Sequence, residues 1–427
     1  MEQTLTGPAS ERAPDSPIAF ALRFIAVLIG LIGLTTVLLG SWRPVIESSD
    51  FAADYAIARA WSHGVNPYSD TPSLVLRYAD VPILIDTHPH TSLHPPAAVL
   101  LASSFSELPF RTAEFVWTLI LAAAIVWSCY AFGKAVGLSS KVSVPLSIAI
   151  LALPTTRLAL HNGEPNPLIL ALFVGAWLSL RSKADVRAGI LLGIATALKL
   201  FPILLVIPLL RMRKRKTALW QIGVAVIVSG ICDLIIGIHA TRTYLSGSRS
   251  NIDYWRAAGH NISLISIPFR WLTQNEWFHV ASNHHLAATL ISSVLIVLCL
   301  FALMKTRALG SGDLFWAAVP WMIMISPLAW VDYLVIALPL LLLLLRNKSG
   351  VYLLVAVAAS IAVMMGRPFF VFVVHPITWM RQVFVLGIPL YGVVALGILD
   401  LLGTRTPPSD PSGRWRPFYR SLPVRTP

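Results

Sequence analysis

Residues 181–216 read RSKADVRAGILLGIATALKLFPILLVIPLLRMRKRK, and the placing of charge in this stretch decides how the chain crosses a membrane. Arg181, Lys183 and Arg187 stand before the apolar run, and Arg211, Arg213, Lys214, Arg215 and Lys216 stand after it. Basic residues beside an apolar span mark the cytoplasmic side, so both ends read as cytoplasmic. A single crossing of 188–210 would strand one basic cluster outside. A hairpin of two short helices, broken near Lys199-Leu200-Phe201-Pro202, keeps both clusters inside and turns Lys199 to the outer side. Half-helices of about 12 residues reach only part-way through a bilayer and need protein or a water-filled cavity around their tips. A break of this kind marks a candidate site.

The rest of the chain fits around that hairpin. Of 427 residues, 56% are hydrophobic and 12% charged, the composition of a polytopic membrane protein with spans of roughly 20 residues each. The net charge of +13 sits in short runs between apolar segments, where it reports orientation. No basic face with stacking aromatics is visible, which speaks against a nucleic-acid partner. Cys129, Cys232 and Cys299 all lie inside apolar runs and read as buried packing, with neither a disulfide framework nor a cysteine metal site. The first apolar stretch, residues 18–39, is longer than a signal-peptide core and leads into no small-residue cleavage site, so it reads as an uncleaved anchor.

With Arg12 and Arg23 inside, 18–41 runs outward and 42–111 forms a long outer loop, acidic and carrying interfacial helices. Its end, His94-Pro95-Pro96, opens a run of about 11 apolar residues, too short to cross. Further segments follow at 112–133, 142–160, 217–238, 284–304, 313–328, 331–345, 350–366 and 382–403, with a second outer loop at 239–283. The expected fold is therefore all-α, a transmembrane bundle of about twelve spans that include two short half-helices. It is one domain over 1–403, with a basic, Pro-rich cytoplasmic tail at 404–427.

In this topology the unusual polar residues gather at one membrane face: Asp50 and Asp54, the run His161-Asn162-Gly163-Glu164-Pro165-Asn166, Lys199, Asn261 to Arg270, Trp330 with Asp332, and Arg367. An ionisable residue inside an apolar segment is costly, so each is a functional hypothesis, Lys199 most clearly. Lys199 has two readings, a phosphate ligand or a lysine snorkelling from a helix end. Asp50 likewise reads as a general base or as a helix N-cap. Asp54 lies one helical turn on. His88, His90 and His94 form an H-x-H-x3-H pattern, but loop histidines so spaced read as solvated, and no metal or other cofactor is expected. Tyr254, Trp255, Trp271 and Trp277 in the second outer loop read chiefly as an interfacial aromatic belt.

Several motifs, in shared order, resemble glycosyltransferase family 87, polytopic enzymes of the GT-C type. They are Asp50-Phe51 through Gly64-x-Asn66-Pro67-Tyr68, and Pro95-Pro96 opening a short apolar run. Gly163-Glu164-x-Asn166 and Ala197-Leu198-Lys199-Leu200-Phe201-Pro202 follow, then Asn261-x-Ser263 with Arg270, and Ser326-Pro327-Leu328-Ala329-Trp330. The resemblance implies transfer of a single sugar, mannose foremost, from a polyprenyl-phosphate donor to a lipid or glycan acceptor. It implies a multi-pass protein of the cell membrane with its site on the periplasmic or extracellular face. Asp50 then matches the family's general base. Lys199, His161, Asn162, Glu164, Asn166, Asn261, Ser263 and Arg270 are expected around the donor. Asp54, Tyr55, Tyr68, Trp330 and Asp332 are expected around the acceptor or sugar.

Two positions depart from the pattern. Asp332 stands where a Trp-x-His arrangement would place His, and Glu164 stands where many relatives carry Gln. A carboxylate repels a lipid phosphate unless it is protonated or paired, so the donor role does not carry over to position 332. The competing function class is a transporter or lipid flippase. Transporters commonly show inverted repeats and midplane sites, and this sequence shows neither.

Overall fold

The computed structural model describes residues 16–40, 42–43, 46–47, 49–84, 89–258, 261–275, 280, 282–306, 313–346, 392–395 and 397–398. The expected span 350–366, most of 382–403, the tail 404–427, and Arg12, His88, Trp277 and Arg367 lie outside the described residues.

Helix α1, Pro17–Gly40, is apolar all round and leaves Ile18, Phe20, Leu22 and Phe24 exposed, as a lipid-facing helix does. The expected outer loop then holds α2 (Asp50–Ser62), α3 (Thr71–Tyr78) and α4 (Pro96–Ser103), with β1 (Ile46–Glu47) pairing in parallel with β2 (Ile83–Leu84). Helix α3 starts where the sequence says it can. Asp70 caps it by accepting from the Ser73 N–H at 3.1 Å, and Pro72 occupies its first turn. Ile57, Ala58 and Tyr68 pack with Val99, Ile236 and Ala240 into a small second core under this loop.

Helix α5 (Phe110–Ala135) returns through the bundle. The next apolar segment is two pieces, α6 (Ser140–Ala149) with its 3₁₀ extension to Ala152, and α7 (Pro154–Asn162), meeting at 64°. Pro154 is the reason for the break, since its ring and missing N–H cannot continue the helix before it. Helices α8 (Asn166–Arg181) and α9 (Asp185–Leu198) follow.

After α9 the backbone becomes extended at Lys199, turns through a 3₁₀ segment at Phe201–Leu205, and continues as α10 (Val206–Arg211). Helix α11 (Arg215–Ile236) lies alongside α9. Lys214 Nζ is 2.8 Å from Asp185 Oδ1, so the two basic ends of the opening stretch meet. The chain therefore reverses between them, with Lys199 at the far end of α9, about 20 Å away by helix rise. Gly193 permits the close approach, since a Cβ there would lie 2.6 Å from Val224 Cβ.

Helix α12 (Ile238–Trp255) occupies the segment expected as an outer loop, and α13 (Ile267–Leu272) follows it. Helix α14 (His285–Lys305) is long and lipid-facing. The segments that follow are broken: α15 (Leu314–Ala317) and α16 (Val319–Ile325), then a 3₁₀ turn at Val331–Ala337 leading into α17 (Leu338–Arg346). Among the described residues four helices, α1, α5, α11 and α14, are long and apolar enough to cross a membrane, or five crossings if the bent α6–α7 pair counts as one. The protein is built as an integral membrane protein, and among the described residues its regular structure is helical apart from the β1–β2 pair and an isolated bridge between Asn261 and Trp330.

Candidate active site

Helix α2 opens at the edge of the bundle. Ser49, in extended conformation, accepts the Ala52 N–H on Oγ at 3.2 Å and is the N-cap. The cap reading of Asp50 therefore falls away. Asp50 stands in the first turn, partly exposed, and among the described residues its carboxylate has no hydrogen-bond partner. Burial, then the Glu164 carboxylate, push its pKa well above the usual aspartate value, with Asp332 adding to them and His94 and Lys199 pulling back.

One turn on, Asp54 meets His94, whose Nδ1 lies 2.6 Å from Asp54 Oδ1. This corrects the reading of His94 as a solvated loop histidine: its side chain is only 14% exposed. Its other nitrogen, Nε2, is 3.8 Å from Glu164 Oε1, an ion-pair distance too long for a hydrogen bond. Burial works against a charged imidazole, but Asp54 and Glu164 outweigh it and raise the His94 pKa well above its usual value. The Tyr68 hydroxyl donates to the His94 carbonyl at 3.1 Å, and the Ser92 hydroxyl accepts its N–H at 3.0 Å, so the loop before Pro95 is fixed. His90 goes elsewhere, its ring edge-on to Trp255 at 5.5 Å.

Glu164 sits between α7 and α8. Gly163 ends α7 with φ of +68°, and its carbonyl accepts the Trp117 indole N–H at 2.6 Å. A Cβ on Gly163 would run into the Phe51 side chain, which stacks on Trp117 with ring centroids 5.6 Å apart. The turn carrying Glu164 is thereby pressed against the residue next to Asp50. Gly163→Ala is expected to cost about 1–3 kcal/mol from the left-handed backbone alone, more with the clash. A lowered melting temperature together with lost activity would bear this out. A variant as stable as the parent would show that the close packing is not needed.

Glu164 is paired with Lys199, whose ammonium also donates to the Tyr333 hydroxyl at 3.1 Å. The extended backbone at Lys199, with Pro202 close behind, turns the ammonium inward, so it does not snorkel. Asn166 Nδ2 donates to Asp332 Oδ2 at 2.6 Å, which answers how a carboxylate is held at position 332. Both residues are fully buried, and the two remaining Oδ1 acceptors have no partner. The structure thus brings Asp50, Asp54, Glu164, Asn166, Lys199 and Asp332 into one cluster, joined by His94 and Tyr333. Neither of these last two was singled out as a site residue from the sequence. A histidine before Pro-Pro was the one available signal for the first, and Tyr333 offered none.

Other expected site residues have structural partners. The Tyr55 hydroxyl donates to the Leu108 carbonyl at 2.7 Å and accepts from Arg59. Tyr68 packs on Tyr244, with ring centroids 5.0 Å apart. Asn261 donates to the Arg256 and Pro327 carbonyls and accepts the Ser263 and Ala329 N–H groups, tying two loops together. Ser263 donates to the Met324 carbonyl and Arg270 to the Ala258 carbonyl. Trp330, beside Asp332, lies edge-on to Trp255 at 6.1 Å. His161 and Asn162 are half-buried in the last turn of α7.

The cluster can do proton chemistry at an accessible carboxylate, backed by buried groups held in ion pairs and hydrogen bonds. No curated protein matches the chain. The sequence model of glycosyltransferase family 87 matches residues 93–329, more than half of the 427 residues. The matched stretch begins after Asp50 and Asp54 and ends before Asp332, and the fold brings those three residues back onto it. From this match, the chain belongs to glycosyltransferase family 87.

Proposed function

We propose that this glycosyltransferase moves a single sugar, mannose foremost, from a polyprenyl-phosphate donor to a lipid or glycan acceptor at the outer membrane face, inverting the anomeric centre. Asp50 is the general base. The acceptor oxygen attacks the anomeric carbon, the bond from that carbon to the phosphate oxygen breaks, and its electron pair leaves with the polyprenyl phosphate. The hydroxyl proton passes to Asp50. One observation carries this reading. The carboxylates of Asp54, Glu164 and Asp332 are each held by a neighbour, while that of Asp50 is accessible and unbonded among the described residues. The Lys199 ammonium has a third N–H beyond those meeting Glu164 and Tyr333, a donor for a phosphate oxygen.

Two features support a lipid-linked donor and an outward site. An apolar cavity of about 850 Å³ runs beside α9 from Arg187 to Leu198, the residue before Lys199 in the chain, walled by Trp127, Leu168 and Val228. The cluster lies at the end of α9 opposite the Asp185–Lys214 pair, and the basic clusters there belong on the cytoplasmic side. Polar groups gathered at one end, rather than at the midplane, do not favour transport.

The test is a transfer assay on membranes containing the protein, with a panel of radiolabelled polyprenyl-phosphate sugars and nucleotide sugars. Labelled product from polyprenyl-phosphate mannose is expected. Product from nucleotide sugars alone, or none from folded and abundant protein, would overturn the donor assignment.

A further inference from the structure

We propose that His94 is a positioning residue for the transfer: its imidazolium, fixed between Asp54 and Glu164, is the charge that keeps Asp50 ionised and able to accept a proton. The proposal rests on Asp50 being the base, and no motif of the sequence had given His94 a role.

The geometry is specific. Asp50 and Asp54 are one helical turn apart on α2, so a group bound to Asp54 lies over the same face as Asp50. His94 is bound to Asp54 through Nδ1 at 2.6 Å and reaches Glu164 through Nε2 at 3.8 Å. The loop that carries it is fixed on both sides by Tyr68 and Ser92. A fixed ring with one carboxylate hydrogen-bonded at Nδ1 and a second at ion-pair distance from Nε2 favours the doubly protonated form, because the positive charge then faces two anions.

The charge count explains why this matters. Asp50 shares its surroundings with Asp54 on its own helix, Glu164 on the turn before α8, and Asp332 at the start of the 3₁₀ turn. Against these four carboxylates stand two cations, His94 before α4 and Lys199 after α9. Lys199 is in contact with Glu164 and deep in the cluster. His94 is the more exposed of the two cations, 14% against 6%, and it lies between Asp54 and Glu164. Without it, burial and the carboxylates of Glu164 and Asp332 would act on Asp50 with only Lys199 opposing. A base kept protonated accepts nothing, so the charge on His94 decides how much of the enzyme is active at a given pH.

The experiment is the pH dependence of kcat/KM for His94→Gln, His94→Asn and His94→Lys. The His94 charge acts to lower the Asp50 pKa, and a neighbouring opposite charge shifts a carboxylate by about one unit or more. The acid limb of the two neutral variants should therefore move to higher pH by about one unit, an approximately tenfold loss below it, with the activity recovered at high pH. His94→Lys, which restores a cation, should bring the limb back. A limb that stays in place in whichever neutral variant folds would overturn the proposal, as would loss of activity at all pH values. Asp50→Asn separates the two layers. If it stays active, the base assignment itself fails. If it is inactive while the limb of the His94 variants is unmoved, only the role of His94 fails.

Discussion

Asp50→Asn should lower turnover by roughly 10²–10⁴-fold, the usual contribution of a general base, while the protein folds and binds its donor. Because Ser49 supplies the helix cap, the substitution removes no capping bond. It should also leave the protein as stable as the parent or slightly more so near neutral pH. The pKa of Asp50 is raised in the folded protein, so its favourable contribution is present at low pH, below the ordinary aspartate value, and is lost as pH rises through the raised value. A neutral amide at position 50 escapes that loss. Inactivity combined with undiminished thermal stability is the signature of a carboxylate kept for chemistry at some cost to the fold. The acid limb of kcat/KM in the parent should correspondingly lie above the ordinary aspartate range, with activity rising with pH. Normal turnover in Asp50→Asn, measured per folded molecule, would mean that the base is elsewhere.

Lys199→Ala should be the most damaging single change to the fold of the site. It leaves Glu164 buried without its main partner, and breaking a buried ion pair from one side costs about 3–5 kcal/mol. The Tyr333 hydroxyl loses its donor as well. The double variant Lys199→Met with Glu164→Gln removes both charges and should recover much of the stability but not the activity, because the ammonium proposed to meet the departing phosphate is gone. Thermal unfolding in detergent and transfer rates on the same samples separate the two effects. A stable Lys199→Ala variant would mean that the pair is not formed, and a double variant with parental activity would remove Lys199 from the donor site.

The reversal after α9 was legible because charge placement is a one-dimensional signal: basic residues on both flanks and a proline in the middle admit few arrangements. The identity of the polar cluster was legible for a related reason, since Glu164, Asn166, Lys199 and Asp332 are conspicuous in apolar surroundings. Their pairings were not. His94 and Asp54 are 40 residues apart in the chain, and Lys199 and Glu164 are 35 apart. Nothing local distinguishes a buried, paired histidine from a solvated one. For the same reason Asn261, Ser263 and Arg270, expected at the donor, gave no sign that they bind the backbone of neighbouring loops. Helix α12 was hidden by its composition. Its polar residues, Arg242, Ser246, Arg249 and Asp253 among them, read as a loop, yet Asn251 anchors it by donating to the Thr91 carbonyl at 2.7 Å.

The most direct test of the account is the stereochemistry of a single transfer. Purified protein would be given a polyprenyl-phosphate mannose of known anomeric configuration, and the new glycosidic bond would be assigned by NMR. One in-line displacement with Asp50 as base predicts a product of inverted configuration and no covalent sugar–protein species. Retained configuration, or a sugar trapped on a carboxylate, would contradict it.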